Sequence, residues 1–162
     1  MMGAHLDSVQ AGPGINDDGS GSSLLIEVFT ALSKHKTKNK VRFVWWGAEE
    51  NGLLGSDYYC ANIGVTEANK ILAYLNFDMV SKGYYGVGDL DGSAYGLKGP
   101  AGSEIIQALY HQHFEGKGLT VTPAMVTNGS DYASFQKYLN KPIAFLHTGT
   151  GFEQDPCYHL RY

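Results

Sequence analysis

A chain of 162 residues that is 43% hydrophobic and only 17% charged is long enough for one globular domain with a sizeable core, and too apolar for a disordered segment. Its net charge of −4 offers no general attraction for nucleic acid, and the one basic stretch, Lys34, Lys36, Lys38 and Lys40, alternates with polar residues as a solvated loop does. No apolar run nears the roughly 18 residues of a membrane-spanning helix, the N-terminus lacks a signal-peptide pattern, and Cys60 and Cys157 are too few for a disulfide framework. Neither a nucleic-acid nor a membrane partner is expected.

In chain order, the glycine-rich stretch Gly12 to Gly21 reads as a loop, and Ser20 to Ser33 as a helix with Leu24, Leu25, Val28, Phe29 and Leu32 at helical spacing. Val41 to Trp46 (VRFVWW) mixes β-branched and aromatic residues and reads as a buried central strand, followed by a helix over Asn51 to Ala61. Ile71 to Phe77 (ILAYLNF) is a second buried strand, and Gly83 to Gly102 is a glycine-rich loop with no assigned role. Ser103 to Phe114 repeats the helical pattern through Ile105, Ile106, Leu109 and Tyr110. Leu119 to Val126 is a weaker strand, confined by Pro123 to an edge or a bulge. Ser130 and Asp131 start a short helix through Tyr138, and Pro142 to Leu146 (PIAFL) closes the series as a strand. Alternation of strand and helix with no linker or repeat gives a single α/β domain over residues 1–162.

Groups able to bind a metal stand where these strands end or loops begin: His5 and Asp7, Asp17 and Asp18, Glu49 and Glu50, Asp78, and His159. Ligands gather at the carboxyl ends of strands in open α/β sheets, so positions far apart in the chain can converge there. Imidazole and carboxylate suit zinc, and a site open for chemistry needs fewer protein ligands than a closed one. Two histidines and several carboxylates could hold two ions, one imidazole on each. Adjacent Glu49 and Glu50 would repel in a desolvated position unless a cation compensates them; one could coordinate while its neighbour acts as general base. Taken singly, His5 or His159 reads as a surface histidine and Asp17 with Asp18 as turn residues. Their joint occurrence points to a metal site.

The segments GAHLDSVQAGPGINDDGSG (Gly3 to Gly21), WWGAEENGLLGS (Trp45 to Ser56), NFDM (Asn76 to Met79) and DPCYH (Asp155 to His159) together resemble the co-catalytic dizinc aminopeptidases, of secreted bacterial leucyl type and fungal vacuolar type. The resemblance implies a three-layer sandwich, with a mixed, mostly parallel central sheet and helices on both faces. It implies two zinc ions per chain, one on His5 and Asp78, the other on Glu50 and His159, with Asp17 bridging. Glu49 becomes the general base, and the Tyr158 phenol hydrogen-bonds the developing oxyanion. Asp7 supports the His5 imidazole, and Asp18 follows the bridging residue in a strained turn. The implied substrate is a peptide with a free N-terminus, its amino group held by carboxylates. Large apolar first residues suit a pocket lined by Met79 and aromatics.

Gly129 stands where the family commonly has an arginine near the substrate, and Tyr162 where secreted bacterial members often have a cysteine, which leaves Cys157 without that partner. Asn128-Gly129-Ser130 is a glycosylation sequon and equally a turn signal. Against the family pattern the chain is a partial catalytic domain, truncated at both ends, in which the central strand before His5 is incomplete and a closing helix is lacking. A partner chain or further segments would then complete the fold, and a secreted or vacuolar location is implied. The alternatives are a related dinuclear carboxypeptidase, a glutaminyl cyclase, or an inactive domain acting only as a binding module.

Overall fold

The computed structural model describes residues 1–149 and 155–161. Six short strands form one sheet in the order β2-β1-β3-β6-β4-β5: β1 is Met2–His5, β2 Phe43–Trp46, β3 Tyr74–Phe77, β4 Tyr85–Gly88, β5 Val121–Ala124 and β6 Ile143–Leu146. Every pairing is parallel except β4 with β6. The helices are α1 (Gly19–Leu32), α2 (Leu54–Asn62), α3 (Val65–Ala68), α4 (Ser103–Glu115) and α5 (Tyr132–Ser134), the last continuing into a wide helical turn over Phe135–Leu139.

The period-two alternation of the strands divides their side chains between two cores. On one face Ala4, Phe43, Trp45 and Phe77 pack under Leu24 and Leu25 of α1. On the other Trp46, Tyr74, Ile143 and Phe145 pack with Cys60 of α2, Ile106 and Tyr110 of α4, and Tyr132 and Ala133 of α5. Helices therefore cover both faces of a mostly parallel sheet, the three-layer α/β arrangement expected from the sequence.

The chain before His5 forms a four-residue strand, β1, which lies between β2 and β3, with Met2 in register with both Phe43 and Leu75. Two expectations need correction. First, β2 is the outermost strand on its side rather than a central one, and Phe43, Val44 and Trp45 are only half-buried. Its aromatic character reflects packing against α1, where Phe29 meets the Phe43 ring edge-on at 5.3 Å. Finally, the stretch from Gly83 to Gly102 contains β4. Its glycines sit where a side chain has no room: a Cβ on Gly86 would meet the His147 carbonyl oxygen at 1.8 Å, and one on Gly88 the Phe145 ring at 2.4 Å. The proline-bearing strand β5 does lie at an edge. Cys60 and Cys157 are both free, and position 162 lies outside the described residues.

Helix α1 is seated by its own first turn. Asp18 caps it by accepting a hydrogen bond from the Gly21 N–H at 2.9 Å. A Cβ on Gly21 would stand 2.1 Å from the Phe77 carbonyl oxygen and 2.4 Å from Asp18 Oδ1, so only glycine lets the helix end approach β3. Gly21→Ala is expected to destabilise the fold by about 1–3 kcal/mol through overpacking, read as a lower urea midpoint. Asp57 on α2 accepts hydrogen bonds from Ser134 Oγ at 2.6 Å, Tyr138 Oη at 3.1 Å and Lys137 Nζ at 3.3 Å, and the Ser134 bond foremost holds its carboxyl below the usual range. The stability this gives is present above the unfolded carboxyl value of about 3.9 and is lost as pH falls through the lower folded-state value. Asp57→Asn should therefore lower the thermal midpoint at pH 7, and the gap to the unmodified chain should close in acid.

Candidate metal centre

The carboxyl ends of the parallel strands deliver the charged groups. His5 is the last residue of β1, Asp78 follows β3, and Glu49 with Glu50 stands just past β2. Asp17 comes from the loop before α1, and His159 from the segment 155–161. Asp17 spans the two imidazoles, with Oδ1 3.0 Å from His5 Nε2 and Oδ2 3.1 Å from His159 Nε2. Asp78 Oδ1 lies 3.6 Å from His5 Nε2, and Glu50 Oε2 3.3 Å from His159 Nε2. Glu49 Oε2 is the more distant neighbour of His5, at 4.0 Å.

Two sets of atoms are thereby gathered. His5, Glu49 and Asp78 present ligand atoms within 4.8 Å of one another, and so do Asp17, Glu50 and His159. The donors suit a divalent cation. His5 is 1% exposed, yet its Nε2 and Asp78 Oδ1 are buried without a hydrogen-bond partner among the described residues. His5 Nδ1 lies 3.0 Å from the Asp7 carbonyl oxygen, which can only accept, so Nδ1 carries a proton and Nε2 is the nitrogen turned toward a ligand.

Electrostatics point the same way. Burial pushes the Glu49 carboxyl up to about 9, reinforced by Asp78, Asp131 and Glu50 against the pull of His5. Asp18 is raised to about 8 by burial and Asp78, and Glu50 is raised by burial and Asp17. Burial disfavours charge on His5, but Asp17 and Asp78 outweigh it and push the imidazole up to about 12. Negative charge is thus collected in a poorly solvated place, where a cation would compensate it.

The remaining sequence-predicted residues fall around this cluster. The Asp7 carboxylate accepts from the backbone N–H groups of Glu49 at 3.0 Å and Glu50 at 3.1 Å, fixing the turn that carries both; its Oδ1 also lies 3.6 Å from His5 Nδ1, beside the Asp7 carbonyl oxygen at 3.0 Å. Asp18 is joined to Asp17 by a cis peptide bond and accepts from the N–H groups of His5 at 3.0 Å, Gly21 at 2.9 Å and Met79 at 3.2 Å, tying β1, α1 and the end of β3 together. The Tyr158 ring stacks on the His159 ring at 3.8 Å, and burial followed by the nearby Asp17 and Glu50 raises its phenol, which therefore stays protonated and able to donate. Met79 and Gly129 line the same cleft, of about 610 Å³, with Tyr84, Tyr95, Met125, Tyr132 and Phe145. Asn128, in the sequon, sits at φ 60° on its rim, the turn geometry its Asn-Gly pair favours.

Ala48 at φ 59°, Met79 at φ 55° and His159 at φ 58° take left-handed backbone beside or at these groups, a conformation that side chains disfavour. Met79 is held in it because its carbonyl accepts from both the N–H and the hydroxyl of Thr148, at 2.8 and 2.7 Å.

Sequence reasoning missed two supports. Ser130, read only as a helix start, donates to Asp78 Oδ2 at 2.6 Å. Asp155 accepts from Asn16 Nδ2 at 2.9 Å, Lys82 Nζ at 3.1 Å and its own segment's Cys157 N–H at 3.2 Å, pinning the Tyr158-His159 turn against the loop that carries Asp17. Its place two residues before Cys157, inside the DPCYH segment, was the available signal.

Known proteins are similar to this chain. "Leucine aminopeptidase 2" of Trichophyton equinum is 47% identical over 158 residues, 96% of this chain and 32% of that protein. An aminopeptidase of Pseudomonas aeruginosa is 48% identical over 181 aligned residues, 99% of this chain and 33% of that protein. The chain thus spans about a third of the length of the curated relatives it matches. The structure of a zinc aminopeptidase from Bacillus subtilis superposes with a TM-score of 0.81 at 28% identity, covering 98% of this chain and 38% of that one. The sequence model of peptidase family M28 matches residues 1–162, and the chain belongs to that family.

Proposed function

We propose that this chain carries the catalytic centre of a zinc-dependent aminopeptidase that removes N-terminal residues, large apolar ones among them, from peptides. The observation that carries this reading is the Asp17 carboxylate set between two imidazoles, at 3.0 and 3.1 Å, with Asp78 and Glu50 on either side. That geometry suits two ions, one held by His5 and Asp78, the other by Glu50 and His159, with Asp17 shared. Such ions supply Lewis acidity, lowering the pKa of a water and polarising the scissile carbonyl.

The chain's own groups do the rest. Glu49 lies close to the ligands without being nearest to either imidazole, and it is only 8% exposed. In that place it takes the proton from the attacking water and returns it to the leaving amine. The pressure that raises Glu49 toward about 9 comes from burial and neighbouring carboxylates, and nearby divalent charge would relieve it, leaving an ionised base at neutral pH. Protonated Tyr158 donates to the oxyanion. The surplus of carboxylates attracts a terminal ammonium group, and the cleft wall of Met79, Tyr84, Met125, Tyr132 and Phe145 receives the first side chain. A secreted or vacuolar setting belongs to the same proposal and is supported by the sequence resemblance. Among the described residues no helix is long and apolar enough to cross a membrane.

With zinc added, the chain is expected to release p-nitroaniline from leucine p-nitroanilide while leaving an N-acetylated peptide with a free C-terminus intact; cleavage of the acetylated peptide would instead favour a carboxypeptidase. Glu49→Gln should keep its zinc and lose roughly 10²- to 10⁴-fold in turnover, the usual worth of a general base, and undiminished turnover would remove Glu49 from that role. Elemental analysis should find two zinc ions per chain, falling toward one in His159→Ala. A single ion in both proteins would sink the dinuclear assignment.

A further inference from the structure

A buried hydrogen-bond chain runs from the sheet interior to the Asp78 carboxylate, and no step of the reaction above uses its inner members. Trp46 Nε1 donates to Tyr74 Oη at 2.8 Å, Tyr74 Oη to Asn76 Oδ1 at 3.0 Å, Asn76 Nδ2 to Ser130 Oγ at 2.8 Å, and Ser130 Oγ to Asp78 Oδ2 at 2.6 Å. Trp46 is 5% exposed, Tyr74 0%, Asn76 1% and Ser130 6%, so water does not compete for these bonds.

The direction of every link follows from its two ends. An indole N–H can only donate, so the Tyr74 oxygen accepts there, and the Asp78 carboxylate can only accept, so Ser130 donates to it and receives the Asn76 NH₂ on its own oxygen. The Asn76 carbonyl oxygen is thereby turned toward Tyr74, which gives it its single proton. Reversal of the inner links would leave both the Tyr74 proton and Asp78 Oδ2 without these partners. The Tyr74 ring is itself immobilised, stacked on Phe135 at 3.9 Å and 2°.

We propose that Trp46, Tyr74 and Asn76 are positioning residues: they form a one-way hydrogen-bond relay that holds the Ser130 hydroxyl as a permanent donor to Asp78 Oδ2, and so keeps Asp78 Oδ1 aimed at the ion beside His5. Oδ1 is the atom left buried and without a partner, 3.6 Å from His5 Nε2. The relay connects β2, through β3, to Ser130 in the turn before α5, so Asp78 is oriented through the core that these elements share. This inference rests on the zinc-centre reading above.

The test is zinc affinity of the whole chain, by competition with a chromogenic chelator, for Tyr74→Phe, Ser130→Ala and the double variant, with the metal-free thermal midpoint measured alongside. Tyr74→Phe should weaken zinc on the order of tenfold, as the loss of support behind a metal ligand does. In the Ser130→Ala background the same substitution should change zinc affinity no further, while its effect on the metal-free midpoint persists. Affinity equal to the unmodified chain, or losses that multiply in the double variant, would overturn the relay. Should Tyr74→Phe fail to fold by circular dichroism, Trp46→Phe makes the same comparison from the donor end. If the unmodified chain binds no zinc, the zinc reading and the relay fall together; zinc binding indifferent to these substitutions brings down the relay alone.

Discussion

Burial of negative charge at one end of the sheet is the constraint on which the rest of this structure depends. Carboxylates from Asp17, Glu49 and Asp78 meet around an almost inaccessible imidazole, with Asp18 on the backbone N–H of the same residue, where water cannot solvate them fully. Left alone such a cluster repels itself, and the carboxyls of Asp18 and Glu49 are raised, by burial first and by neighbouring carboxylates second. A fold that nevertheless gathers these groups, and leaves His5 Nε2 and Asp78 Oδ1 without a hydrogen-bond partner among the described residues, suits positive charge.

The scaffold supports this by directing backbone hydrogen bonds to the carboxylates that flank the candidate ligands. Asp18 takes N–H groups from three segments and Asp7 takes two from the turn after β2, so neither is free to move toward a bound ion. Asp155 plays the matching part for the chain's far end, fixing the turn that brings Tyr158 and His159 over Asp17. Left-handed backbone at Ala48, Met79 and His159 falls among the same residues, as expected where surrounding structure over-determines a local conformation to aim particular groups.

Much of the architecture was legible because long apolar stretches impose their own periodicity. The helices over Gly19–Leu32 and Ser103–Glu115 and the strands ending at Trp46, Phe77 and Leu146 fall where the pattern placed them. β4 was hidden because its glycines exist for the close approach of β6, a relation between segments about 60 positions apart that no local pattern records. The place of β2 at the edge was equally invisible, since a strand packed on one side by α1 carries the same aromatic residues as a central one.

Residue types and spacing by themselves determined an α/β chain, the set of imidazoles and carboxylates that could hold metal, and the motifs of its family, because these are properties of local order and composition. Only the tertiary structure decided which of those groups meet. It set Asp17 between the two histidines, turned the Asp7 carboxylate toward the Glu49-Glu50 backbone, and put Ser130, Asn76, Tyr74 and Trp46 in line behind Asp78. Hydrogen-bond direction and ligand geometry depend on distances between segments remote in the chain, and those are fixed only when the sheet closes around its two cores.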